Sequence, residues 1–367
     1  MSFSALPPEI YGSICHELNE LGSNLAPLCT ISRNFSREAQ RILYHSVDLR
    51  GREMCAVMSW AYTITEHTHL AERVHALVLQ LPAIKSLDIS DNAKIVKALR
   101  KWINLEELRG AHGWMISGLP FRLQKFENLA PWEGGVEDDF WKTQTEIRVL
   151  SLPYLPNLPS FENQLPNVIA LGTPTLNVLP ARPLQRVETA FLANGKFSPL
   201  AQYSQTLTTL SVRGASAYGP ASIPDTLTSI AASVPALLHL SIIDLQKWPV
   251  YSGYGTRPPT PILRKGFRKL QTFVLHVRNV LCFMSPDLGS PNSHSDNYDM
   301  ASAPNLERLG VDILKACPTL LRAAIGSEVA RGQEMRCVLT RANGGGAIQA
   351  EAVTALEFEA LDMFWNP

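Results

Sequence analysis

The chain has 367 residues, and its Lys plus Arg total of 33 balances an Asp plus Glu total of 33. Hydrophobic residues at 46% supply enough apolar surface for a sizeable core, which excludes wholesale disorder. A formal net charge of zero argues against a dedicated nucleic-acid binder and against electrostatic docking on anionic membranes, since both need an excess of Lys and Arg.

Proline, at 26 residues, is scattered along the chain and predicts many short elements. The stretch from Met1 to Glu9 has neither the basic segment nor the apolar run of a secretory signal, and nothing downstream reads as a membrane span. The six cysteines lie far apart with no Cys-x-x-Cys pair, so free thiols in a reducing compartment, cytoplasmic or nuclear, are expected.

Residues 1–50 predict three short helices and a strand. Pro7 and Pro8 suit a first helical turn, where no intrahelical N–H bond is lost, and Glu9 suits the positive helix end. Ile10, Ile14 and Leu18 then recur at helical spacing as one apolar stripe. Gly22-Ser23-Asn24 breaks the helix; Leu25, Leu28 and Ile31 form a second stripe, and Phe35, Ala39, Ile42 and Leu43 a third. Val47 and Leu49 alternate with polar neighbours, as in a strand. A unit this short buries little surface, so it either packs on the rest of the chain or keeps an apolar face for a partner.

Residues 51–367 predict a second domain built on one recurring frame: apolar, two residues, apolar, one residue, apolar. It fits Val74-Leu77-Leu79, Ile147-Leu150-Leu152, Leu207-Leu210-Val212, Leu237-Leu240-Ile242, Leu270-Phe273-Leu275 and Leu306-Leu309-Val311. Weaker copies are Leu105-Leu108, Leu123-Phe126, Val168-Leu171, Val187-Ala190-Leu192 and Leu320-Ala323-Ile325. The spacing, about twenty residues and longer in the second half, with this leucine pattern, is that of leucine-rich repeats. The last two apolar positions of each frame point to one side of a strand, and only stacked neighbours can bury that side. The fold class expected is α/β: a small helical unit followed by an irregular solenoid with a parallel sheet. Helices are expected between strands, best at Ala93 to Ile103 and Asp225 to Val234.

Residues Leu6-Pro7-Pro8-Glu9-Ile10, Ile14, Leu18, the run Leu25 to Phe35 with its Ser32-Arg33-Asn34-Phe35, and Arg41-Ile42-Leu43-Tyr44 resemble an F-box of the fungal type. The resemblance covers roughly the first fifty residues. It implies that Leu6, Pro7, Ile10, Ile14, Leu18, Leu25, Leu28, Ile31 and Phe35 dock on the Skp1 adaptor of a cullin–RING ubiquitin ligase. It also implies that the degenerate repeats behind them, ending near Cys317 to Arg322, capture a protein substrate.

Signatures of chemistry are sparse. No phosphate-cradling glycine loop ending in Lys-Ser/Thr, no His-Glu-x-x-His and no Gly-x-Ser-x-Gly is present. Gly344-Gly345-Gly346 reads as a tight turn, His67 and His69 as a polar turn without a third metal ligand, and Glu137-Asp138-Asp139 as a solvated loop. Two insertions, Trp248 to Gly266 and Ser285 to Pro304, read as loops. The aromatics Trp248, Tyr251 and Tyr254 in the first are candidate substrate anchors, weighed against ordinary core aromatics. No cofactor is expected. Two functions from different classes follow: a non-catalytic ubiquitin-ligase adaptor, or an interaction scaffold whose helical unit is only a structural cap.

Overall fold

A computed structural model describes residues 6–21, 23–79, 89–110, 115–116, 118–128, 138–152, 163–190, 196–214, 223–244, 259–277, 303–329, 333–342, 347–359, 361 and 363–365. The chain divides into two units, Met1–Val168 and Ile169–Pro367. Both are mixed α/β with mostly parallel strands.

The first unit begins with α1 (Pro8–Glu20), a 3-10 helix (Ala26–Thr30), α2 (Arg33–His45) and β1 (Ser46–Asp48). It continues through α3 (Met54–Glu66), α4 (Thr68–Ala71), β2 (Ala76–Val78), α5 (Ile89–Leu99), β3 (Glu107–Arg109), β4 (Lys125–Glu127), α6 (Asp138–Thr143) and β5 (Val149–Ser151). Strands β1 to β5 pair in sequence order, all parallel. The strand expected around Val47 is therefore the first of the row, and the expected domain boundary at residue 50 falls just behind it.

The second unit holds β6 (Ala170–Thr173), β7 (Arg186–Ala190), β8 (Thr209–Arg213), α7 (Ile223–Ser233), β9 (His239–Asp244), α8 (Thr260–Gly266), β10 (Thr272–Val277), α9 (Ala303–Ala316), β11 (Arg322–Val329), β12 (Gln333–Arg341), β13 (Ile348–Ala352) and α10 (Ala355–Glu359). Strands β6 to β11 run parallel in sequence order, whereas β11–β12 and β12–β13 are antiparallel. The all-parallel expectation therefore ends at β11.

The leucine frame predicts which side of each strand is covered. Leu77, Leu108, Phe126 and Leu150 share one register position in the first unit; Leu171, Val187, Leu210, Leu240, Phe273 and Ala323 do so in the second, and all are buried. The strand starts share a hydrogen-bond device. One carbonyl accepts two successive N–H groups of the next strand: His75 O from Glu106 and Glu107, Gln185 O from Thr208 and Thr209, Leu238 O from Gln271 and Thr272. Each strand thus fixes the register of its successor before the ladder begins.

Two frames are corrected. Leu306-Leu309-Val311 lies in α9, not in a strand, because i, i+3 spacing suits a helix face as well as a frame. On β7 the buried series is Leu184-Val187-Thr189 rather than Val187-Ala190-Leu192; the expected frame starts three residues late. The expected helices appear as α5, starting at Ile89, and α7, which buries Leu227 and Ile230. Among the described residues no helix is long and apolar enough to cross a membrane.

Candidate functional site

The candidate docking surface is the helical segment that opens the first unit, and its local folding follows from its sequence. Pro8 stands in the first turn of α1 with Glu9 beside it, as the helix dipole favours. After the helix, Asn24 Oδ1 accepts the N–H of Ala26 at 2.9 Å and turns the chain into the 3-10 helix. Pro27 occupies the first turn of that short helix, where its missing N–H removes no bond. Ser32 caps α2, its Oγ accepting from Phe35 N at 3.3 Å.

The interior of this segment is Tyr11, Cys15, Leu25, Phe35 and Ala39, with the Tyr11 and Phe35 rings edge to face at 4.8 Å. Leu6, Ile14, Leu18, Leu28 and Ile42 pack half-buried around it. The inward stripe of α1 is thus centred on Tyr11 and Cys15, one residue on from the expected Ile10-Ile14-Leu18. That rotation leaves Ile10 42% exposed. Ile31 is 54% exposed at the end of the 3-10 helix, and Pro7 and Leu43 are exposed as well.

The nine residues implied by the F-box resemblance therefore fall into three groups. Pro7, Ile10 and Ile31 face solvent; Leu6, Ile14, Leu18 and Leu28 bridge surface and interior; Leu25 and Phe35 lie in the interior and hold the helices together. The other anchors, Trp248, Tyr251 and Tyr254, lie outside the described residues, as do Gly344-Gly345-Gly346 and the second insertion from Ser285 up to Ser302.

Polar groups beside the apolar positions are held in fixed pairs. Glu38 accepts from Arg41 Nε at 2.9 Å and from Arg37 Nε at 3.1 Å. Partial burial pushes its carboxyl up, but those bonds and charges outweigh it and hold it below the usual carboxylate range. Arg73 Nη1 donates to Arg37 O at 2.7 Å and ties α2 to the turn after α4. Burial, then the nearby Glu38 and Cys29, push the Cys15 thiol up and disfavour its thiolate. The His67 and His69 rings meet edge to face, their centroids 5.9 Å apart. Among the described residues no group of three or more His, Cys, Asp or Glu is placed to hold a metal. Such an arrangement can bind an apolar partner face.

Sequence reasoning missed the far end of the chain. Thr354 and Glu357 cap α10 reciprocally: Glu357 Oε2 accepts from Thr354 N at 2.7 Å, and Thr354 Oγ1 accepts from Glu357 N at 3.3 Å. The Thr-x-x-Glu spacing was the signal that marks this helix start. No protein-family model matches the chain, and no curated protein matches it either.

Proposed function

We propose that the chain is the substrate-recognition adaptor of an SCF-type ubiquitin ligase, gripping a Skp1-like protein with the N-terminal helices and a target protein with an irregular leucine-rich-repeat solenoid. The observation that carries this reading is the exposure of Ile10 and Ile31 on a helical segment whose interior is already closed by Tyr11, Leu25 and Phe35. Large aliphatic side chains left outside a completed core are suited to a partner. On this reading the protein is non-catalytic, acts in the cytoplasm or nucleus and needs no cofactor. Its mechanism is proximity, since holding a target beside a loaded E2 raises effective concentration.

The test is copurification of Skp1 with the tagged chain and with an Ile10→Glu, Ile31→Glu double variant. Both positions are exposed, so the variant is expected to melt like the parent while recovering little or no Skp1. Undiminished recovery removes these residues from the contact, and no Skp1 with the parent chain leaves the interaction scaffold as the reading.

A further inference from the structure

The side of β7 to β10 opposite the leucine core carries a polar row. Parallel register sets Arg186, Thr209, His239 and Thr272 next to one another on successive strands, with Ser211 and Ser241 two residues further along. Strand alternation points them away from Val187, Leu210, Leu240 and Phe273.

The end of the same chain lies on this row. Phe358 packs on Val274 and Ala324. Leu361 and Met363 close a slot floored by Thr209, His239, Ser241 and Thr272. Beyond them the Phe364 carbonyl accepts a hydrogen bond of 2.7 Å from Arg186 Nη1.

The two described side chains of the cover that reach the slot, Leu361 and Met363, are apolar, and they lie over the polar Thr209, His239, Ser241 and Thr272 as well as over Val274. Arg186 is 6% exposed, yet its recorded partner is that one neutral carbonyl, and no carboxylate among the described residues pairs with it. Among the described residues the buried Ser241 hydroxyl and His239 Nδ1 have no hydrogen-bond partner, and the Leu361 and Met363 side chains offer them neither a donor nor a strong acceptor. Buried polar groups are nearly always bonded and buried charges nearly always paired. A row left in this state is satisfied better by a ligand than by the segment that covers it.

We infer that α10 and the residues after it are a displaceable strap over a peptide-binding site, and that the occupant displacing it is an extended segment of a partner protein that sets a carboxylate on Arg186. A carboxylate replaces the neutral carbonyl acceptor at Arg186 with a charged one that can take a bidentate pair, and Ser241 offers a further donor along the row. The capping box at Thr354–Glu357 holds the first turn of α10 at the head of the strap. Within the adaptor reading this is where a target is captured; binding here is measured without Skp1, so failure of the two readings is distinguishable.

The experiment uses the full chain with the strap loosened by Phe358→Ser and Leu361→Ser. Its probe is a fluorescein-labelled synthetic peptide of residues 353–364, made once with a free carboxylate at Phe364 and once as the amide. Anisotropy should show the acid binding the loosened chain about tenfold more tightly than the amide, as a charged in place of a neutral acceptor predicts. Adding Arg186→Gln should erase that difference, and the parent chain should bind neither form at the same concentrations. Equal affinities for acid and amide overturn the carboxylate assignment. Equal binding by parent and loosened chains overturns the strap, and no binding by a loosened chain that still melts cooperatively overturns the site. Hydrogen exchange on the parent chain decides the case in which the loosened chain unfolds: amides of 353–365 should exchange far faster than those of β8 to β10, and equal protection overturns displaceability.

Discussion

His276 and Phe358 meet edge to face, their ring centroids 5.1 Å apart and their planes at 65°. The contact joins β10 to α10, and the buried imidazole has two charged neighbours. Glu334 Oε2 stands 3.7 Å from its Nε2, and Arg336 pairs with that same carboxylate. Burial first, and Arg336 second, push the imidazole down to about 4. Between its ordinary value near 6.5 and about 4, the unfolded chain binds a proton that the native chain refuses. Stability should therefore be full above about pH 6.5, fall as the pH drops toward 4, and level off below. Allowing for screening, the loss assigned to this group is on the order of 1–2 kcal/mol. Denaturant melts of the parent and of His276→Phe across that range check it: the variant should show a shallower acid slope.

Gly326 lies beside His276 on β11, and a Cβ there would stand 2.6 Å from the ring's Cδ2. The ring cannot retreat freely, because Phe358 lies against it. Gly326→Ala should cost about 1–3 kcal/mol as overpacking. It should also raise hydrogen exchange in α10 more than in β9. Unchanged protection of α10 would show that the ring yields without disturbing its neighbour.

Gln144, after α6, is a buried side chain that serves two backbone groups 21 and 23 positions earlier. Its Oε1 accepts from Leu123 N at 2.8 Å and its Nε2 donates to Phe121 O at 2.9 Å, holding an irregular segment straight into β4. Gln144→Leu keeps the volume and strands both groups, so a loss of about 2–4 kcal/mol in chemical denaturation is expected. Gln144→Glu should recover part of it only in acid, where a protonated carboxyl both donates and accepts.

The strand register makes a contrast. Leu240 and Leu275 are buried on the covered side of β9 and β10, whereas Gln271, at the start of the same frame, is exposed. Truncating either leucine to Ala should cost about 2–5 kcal/mol through lost transfer energy and a cavity. Gln271→Ala should stay within about 0.5 kcal/mol. Equal midpoints for the inward and outward variants in urea melts would mean the frame is misaligned.

The sequence by itself determined what depends on local periodicity. Leu77, Leu210, Leu240 and Phe273 declare their strands because a two-residue alternation must place one side in the core, and that rule acts within a few residues. The proline in the first turn of α1, the Ser32 cap of α2 and the break before Asn24 are equally local, so the helical candidate site was legible in outline. Its rotation was not: Ile10 and Tyr11 are neighbours, and packing against Phe35 decided that Tyr11 turns inward. Tertiary structure also decided between helix and strand for Leu306-Leu309, whose spacing satisfies both. The antiparallel turn of β12 and the strap on the polar row lay beyond local pattern altogether. Arg186 meets Phe364 across 178 positions of chain, and a contact of that reach leaves no period in the sequence, only the desolvation of a guanidinium that the folded chain brings about.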